Sequence, residues 1–451
     1  MSENPADLLP ELCALLGAVL GLVAGLFLPR TRQWIAVLGC AAGLAAGLVF
    51  AVLAAGRPDA MTFDAFMLDP VTHVTRVTVL AGTLAVLGLA AGPVRGHPRE
   101  TEFAVLTVLA ALGTILLGAS SDLLVLVAAY LLASIPAYAL AGFGKDAPGT
   151  EAALKYYLLG AFFGIFMLTG VTLLYGLGRA TAYEAVALPD TPAVTIAAAL
   201  LLLGLLFKAG AVPGHFWIPD VAEGAPPVVA AFVTTVPKIG AFAALYRLGT
   251  ELDVPDWTLL VALIAAATMT LGNLAAFGQR NVRRLLAYST VGQAGYLLVP
   301  VAMAGRTGLA EPALLFYLGA YAITNLGAFA VVVAAGEDDL PAYGGLARRS
   351  PALALALAVC LLGLVGTPPT AVFAGKLLMF GAAMDGAYAW LAVAAAVNSV
   401  ASVFYYLRWI VPVFGRGQGP PAPVRTGAAA IACAAALGSV AMGAAAGLLL
   451  G

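Results

Sequence analysis

Apolar runs of about 20 residues recur from one end of this 451-residue chain to the other, and they constrain its fold more than any other feature. As a helix, each run is long enough to cross about 30 Å of hydrocarbon. In that solvent every backbone N–H and C=O must be paired within the protein, which restricts spanning segments to helices and closed barrels. The runs are too long for barrel strands and do not alternate apolar with polar residues, so strand patterning is absent. The expected fold class is an all-α polytopic membrane protein. A composition of 62% hydrophobic and 10% charged residues agrees, because so few charges could not cover a soluble surface. The net charge of −1 offers no basic footprint for nucleic acid. Cys13, Cys40, Cys360 and Cys433 stand singly in apolar runs, without the spacing of a metal or iron–sulfur site.

About fourteen spans can be placed, over 10–28, 33–55, 72–92, 103–120, 122–142, 152–176, 191–212, 225–249, 256–277, 283–304, 311–335, 351–382, 386–414 and 425–449. The connections are short, so 1–451 reads as a single integral-membrane domain. Its expected parts are peripheral N-terminal helices over 1–100, a first repeat over 103–249, a second over 256–414 and a C-terminal helix over 425–451. The start, MSENPADLLPELCALL, is acidic and lacks the features of a cleaved signal peptide, so the first helix is expected to be kept.

The basic residues test this count. Arg30, Arg32, Arg95, Arg99, Lys145, Lys155, Arg280, Arg283, Arg284, Arg348, Arg349, Arg408, Arg416 and Arg425 fall on the side reached after the first span. Arg57, Arg76, Arg179, Arg247 and Arg306 fall on the other. A miscounted helix would scramble this bias. Basic loops stay inside, so both termini are expected on the outer side. Ala/Gly/Val/Arg-rich usage suggests a GC-rich bacterial genome, and hence a multi-pass protein of the bacterial plasma (inner) membrane.

Lys208, Lys238 and Lys376 are the basic residues left inside spans. A charge at the centre of a spanning helix is unfavourable by about 2.5–3.5 kcal/mol on insertion scales, so such residues face a bundle interior or a hydrated cavity. An ammonium out of water holds its proton less firmly in general, and a nearby charge can switch it, which suits a proton relay. A lysine can also snorkel or sit in a static ion pair, but two of these flank Pro/Gly breaks. The first break is in FKAGAVPGHFWIPDVAEGAP, after Lys208 and before Lys238; the second, LVGTPPTAVFAGK, runs into Lys376. Paired interruptions in two halves of a chain point to inverted repeats around a midplane site. Spans 4–8 and 9–13 are the expected five-helix repeats, with the seventh and twelfth spans broken.

His215, in the first break, is a candidate titrating group. Asp220 and Glu223 are expected to cap the helix that follows. Arg280, Arg283 and Arg284 read as an interface anchor, and His73 and Arg76 as residues near the outer interface. Ser289, Thr290, Gln293, Asn325, Asn398 and Ser399 make later spans polar enough to help hydrate a channel.

The stretch FKAGAVPGHFWIPDVAEGAP…VPK resembles the subunit N family of NADH–quinone oxidoreductase, respiratory complex I, whose members are antiporter-like proteins of the membrane arm. The resemblance continues in order through DLLVL at 122–126, ALKYYLLGAF at 153–162, RNVRRLLAYSTVGQAGYLL at 280–298 and YGGLARRSPALALALAVCLLGLVGTPPTAVFAGK at 343–376. Related cation/proton antiporter and membrane-bound hydrogenase subunits share the fold.

The resemblance implies fourteen core helices, the seventh and twelfth broken, around a central hydrophilic axis that carries protons. It implies relay roles for Lys208, Lys238 and Lys376, with His215 assisting. It also implies a helix-5 glutamate paired with the lysine of helix 7. Registering on Asp122, Ser134, Pro136 and Tyr138 puts Leu131 at that place, and Gln293 stands where a histidine is frequent. The expected function is therefore a non-redox, proton-conducting membrane-arm subunit of a redox-driven NADH–quinone oxidoreductase. Its expected partners are the lipid bilayer and other membrane-arm subunits, further antiporter-like ones included. No cofactor is expected in this subunit; NADH, flavin, iron–sulfur clusters and quinone would lie elsewhere in the complex. The alternatives are a cation/proton antiporter subunit, or a structural subunit whose pumping is lost or reduced by Leu131.

Overall fold

The computed structural model describes residues 4–252, 254–415 and 424–449. Arg416 and the last residues of the expected C-terminal segment, 450–451, lie outside the described residues. The chain divides into two compact units, Met1–Ala209 with Val236–Trp257, and Gly210–Thr235 with Thr258–Gly451.

The first unit holds α1 (Leu9–Phe27), α2 (Trp34–Ala54), α3 (Pro70–Ala90), α4 (Glu100–Ala119), α5 (Leu123–Ala141), α6 (Ala147–Gly178) and α7 (Pro192–Ala209). Between the spans, in the connection from α2 to α3, lies an antiparallel hairpin of β1 (Ala60–Thr62) and β2 (Phe66–Leu68), with Ala60 opposite Leu68. Three-residue strands are too short to leave a periodic signal. In the second unit α8 (Trp217–Gly224) is a short helix within the first break, and α9 (Pro227–Glu251) starts there and continues into the first unit. The chain then runs through α10 (Trp257–Ala276), α11 (Val282–Ala302), α12 (Ala310–Ala335), the one-turn α13 (Leu346–Arg349), α14 (Pro351–Val365), α15 (Ala371–Asp385), α16 (Ala389–Phe414), α17 (Thr426–Ala444) and the short α18 (Ala446–Leu449).

Among the described residues thirteen helices are long and apolar enough to cross a membrane. α14 and α15 are 15 residues each. At 1.5 Å per residue each reaches only about 22 Å, short of the hydrocarbon thickness. They fall within the expected twelfth span, which is interrupted where the sequence predicts.

Helix starts follow local chemistry. Asp69, Asp122, Asp146 and Asn281 each turn a side-chain oxygen onto the first free N–H groups of α3, α5, α6 and α11, satisfying donors with no intrahelical partner. The Asp146 cap explains why α6 begins five residues before the expected 152: its first turn, APGTE, is polar but capped. The cysteines are free, and Cys40 and Cys360 are buried.

Candidate functional site

Both breaks are built alike. α7 ends at Ala209 and is stopped by Gly210 with φ +73; α14 ends at Val365 and is stopped by Gly366 with φ +89. Such left-handed conformations suit glycine at a helix C-terminus. Three residues past each glycine stands a cis proline, Pro213 and Pro369.

A helix that stops inside a bundle exposes carbonyls that need donors. At α14 all four can be accounted for. Leu362 O receives the Gly366 and Thr367 N–H groups, and Gly363 O also receives Gly366 N–H. Leu364 O accepts from the Gln293 amide at 2.8 Å, and Val365 O accepts from the Lys376 ammonium at 2.8 Å. At α7 the final carbonyl, Ala209 O, accepts from Lys238 Nζ at 2.7 Å. So in each unit a buried lysine caps the C-terminus of the half-helix before the break, where the helix dipole favours a cation.

The remaining contacts of the lysines are neutral. Lys376 Nζ also donates to Ser399 Oγ at 2.9 Å and lies 4.0 Å from the centre of the Tyr296 ring. Lys208 donates to Ser134 Oγ at 2.7 Å, with the Tyr130 ring centre 5.6 Å away. Ser134 Oγ in turn donates a hydrogen bond to Tyr130 O, one turn back on α5. An ammonium over an aromatic face is attracted by the ring quadrupole, the more so when desolvated. Sequence reasoning found the lysines and singled out Ser399 as a polar span residue, but missed Tyr130 and Tyr296 and used Ser134 only as a register mark; these look like ordinary span residues until the lysines are placed.

Leu131 is not part of this arrangement. It is 44% exposed, on the side of α5 that lines an apolar cleft with Ile135, Tyr157 and Leu168. The side chain Lys208 meets is Ser134, three residues further on.

Around the second break the polar side chains form a buried hydrogen-bonded set. Tyr317 donates to Gln293 Oε1, Tyr405 to Asn273 Oδ1, and Asn273 to Asn398 Oδ1. Ser289 is 2.5 Å from the Tyr406 hydroxyl, Thr290 accepts from Tyr321, and Asn325 donates to Thr235.

His215 is buried beside Phe216, with ring centres 4.3 Å apart. It belongs to the second unit, whereas Lys208 and Lys238 belong to the first. Asp220 and Glu223 lie within α8. Each lies 2.8 Å from Arg284 Nη1. Arg283 donates to Ala222 O and Ala225 O at the C-terminus of α8 and pairs with Asp338. These two arginines hold the break segment; the pairs span more than 50 residues of chain, beyond the reach of local pattern. Arg76, read as an interface residue, is buried and paired with Glu11.

The region 120–402 matches the family model described as NADH:quinone oxidoreductase/Mrp antiporter, TM. The chain is 55% identical to NADH-quinone oxidoreductase subunit N 1 of Streptomyces griseus, over 94% of this chain and 92% of that protein. It is 50% identical to subunit N of a Mycobacterium species, over 98% and 97%. Among solved structures it is similar to a chain of respiratory complex I from Thermus thermophilus with bound aureothin, at TM-score 0.87 and 36% identity, covering 98% of each chain. A chain of the Mrp complex of Dietzia sp. shares the fold at TM-score 0.85 and 24% identity, over 99% of this chain and 95% of that one.

Proposed function

The chain belongs to the NADH:quinone oxidoreductase/Mrp antiporter family and within it to subunit N of complex I, and from that premise we propose that it conducts protons through Lys208, Lys238 and Lys376, with His215 assisting. The observation that carries this reading is the placement of Lys238 and Lys376 on the terminal carbonyls of the two broken helices. An ammonium held there by neutral acceptors is bound but not locked into an ion pair with a carboxylate. It can lose its proton to water, directly or through a hydroxyl that releases its own proton onward, without leaving an unpaired carboxylate behind, and its loss uncaps a helix end. Proton occupancy is thereby linked to the geometry of the break.

In this reading the subunit performs no redox step. NADH, flavin, iron–sulfur clusters and quinone act in other subunits, and this chain works beside further antiporter-like membrane-arm partners in a bacterial inner membrane, with both termini outside. The test replaces Lys208, Lys238 and Lys376 singly by methionine in the assembled complex and measures protons moved per electron in vesicles. A reduced ratio with quinone reduction retained is expected. An unchanged ratio for all three overturns proton conduction and leaves a structural role.

A further inference from the structure

We propose that Gly443, near the end of α17, is a positioning residue for Lys376: it seats the second break, and the seat fixes where the lysine meets Val365. The role in conduction rests on the reading of Lys376 as a proton carrier; the seat itself rests on packing alone.

By sequence α17 is a peripheral C-terminal helix, outside the two expected repeats. Its buried face is small, with Ala428, Ala432, Ala435, Ala436 and Ser439, and it packs on α12, α14 and α15. Ser439 Oγ lies 2.9 Å from Thr324 Oγ1 on α12. Thr324 gives its own hydrogen to Ala320 O, so Ser439 is the donor. One turn further along α17, Gly443 lies against the backbone of the break. A Cβ there would sit 2.1 Å from Pro369 O, 2.4 Å from Thr370 C and 2.7 Å from Ala371 N. Only glycine can make this contact. Glycine within a helix is unfavourable by about 0.5–1 kcal/mol relative to alanine, so helix stability is given up where two backbones touch.

The seat lies between the two partners of the cap. Val365 ends α14, Lys376 stands in α15, and Lys376 Nζ reaches Val365 O at 2.8 Å. The Thr370 and Phe373 N–H groups bond to Thr367 O and Thr370 O, which ties the break to the first turn of α15. A shift of Pro369–Ala371 is therefore passed to the helix that carries the lysine. Non-bonded atoms settle at about 3.5 Å, so a methyl group at Gly443 forces a movement of about 1 Å. The lysine stem has little room to compensate. A Cβ on Gly366 would lie 2.8 Å from its Cδ, and the Tyr296 ring centre is 4.0 Å from Nζ.

The test compares Gly443→Ala with Gly427→Ala in the intact complex. Gly427 is in the first turn of the same helix, and a Cβ there meets nothing within 4 Å. Both variants gain the helix propensity of alanine, and only the first touches the break. Amide exchange at Gly366, Thr367, Thr370 and Phe373 should quicken by about tenfold or more in Gly443→Ala, as for loss of a charge-assisted hydrogen bond. It should stay at the parent rate in Gly427→Ala. Protons moved per electron should fall in Gly443→Ala with quinone reduction retained. Adding Gly443→Ala to Lys376→Met should lower the ratio no further, because a residue that acts through the lysine adds nothing once the lysine is gone. Ser439→Ala loosens α17 without a clash and should give the same pattern in milder form, which covers a failure of Gly443→Ala to assemble. Parent-like exchange at the break in both variants overturns the seat. A further drop in the double variant overturns positioning and leaves a general structural defect. Faster exchange with a parent proton ratio also overturns positioning where Lys376→Met lowers the ratio. An unchanged ratio in Lys376→Met instead removes the relay reading, and exchange at the break alone then decides the seat.

Discussion

Ser134 is the residue on which the first lysine turns. The helix-5 glutamate implied by resemblance is replaced by Leu131, but the structure turns position 131 to the cleft side of α5 and gives Lys208 a serine hydroxyl. A hydrogen bond to a charged group contributes about 1.5–3 kcal/mol. Ser134→Ala removes it and leaves the ammonium beside the Tyr130 ring, whose centre is 5.6 Å away. Protons moved per electron should fall in Ser134→Ala and recover in Ser134→Thr, which restores the hydroxyl; equal ratios in all three proteins would remove Ser134 from the path. Leu131→Glu gives the complementary test. Because the side chain at 131 faces the cleft, adding a carboxylate should not raise the ratio. A clear gain would show that position 131 reaches Lys208 after all.

At the scale of the element, the broken helix is the working part, and Gly366 sets its shape. Its φ of +89 is unfavourable for an L-residue, and a Cβ there would sit 2.8 Å from Lys376 Cδ. Gly366→Ala therefore combines a backbone penalty of about 1–2 kcal/mol with displacement of the lysine that caps Val365. Amide hydrogen exchange in the complex should quicken at the last turn of α14 and the first of α15, while α12 keeps its protection. Unchanged exchange at the break would show that the cap does not hold it. A weaker effect is expected at α8: Arg284 and Asp220 are each 29% exposed, so pairing contributes about 1 kcal/mol or less. Arg284→Gln should accelerate exchange across Trp217–Gly224 by only a few-fold; protection as in the parent would assign the segment to Arg283 alone. The breaks were legible in sequence because Gly and Pro act locally and a lysine in an apolar run is conspicuous. Their ties were not, because Asp220–Arg284 and Lys238–Ala209 join residues 64 and 29 positions apart. The azimuth of Leu131 was hidden for another reason: registering a motif fixes a residue's place along a helix but not the side it faces.

For the whole molecule the informative quantity is the parity of crossings. Apolar length alone yields thirteen membrane helices, an odd number that would put the termini on opposite sides. α14 and α15 change the answer, since each is too short to span and together they cross once. Fourteen crossings would give both termini the same side, which is the expectation to be tested. The basic residues predict the side: by the span count, Arg30, Arg32, Arg95, Arg99, Arg348 and Arg349 fall in or beside loops of one side, and Arg57, Arg179 and Arg306 in or beside loops of the other. Basic loops stay cytoplasmic, so both ends should be outside. Tags placed at either end of the full-length chain in the assembled complex should react with a membrane-impermeant reagent in whole cells with a permeabilised outer envelope, and should be protected in inverted vesicles. One exposed and one protected tag would mean that α14 and α15 form a re-entrant hairpin. The lysine on Val365 would then face an aqueous vestibule on one side instead of a path between the two.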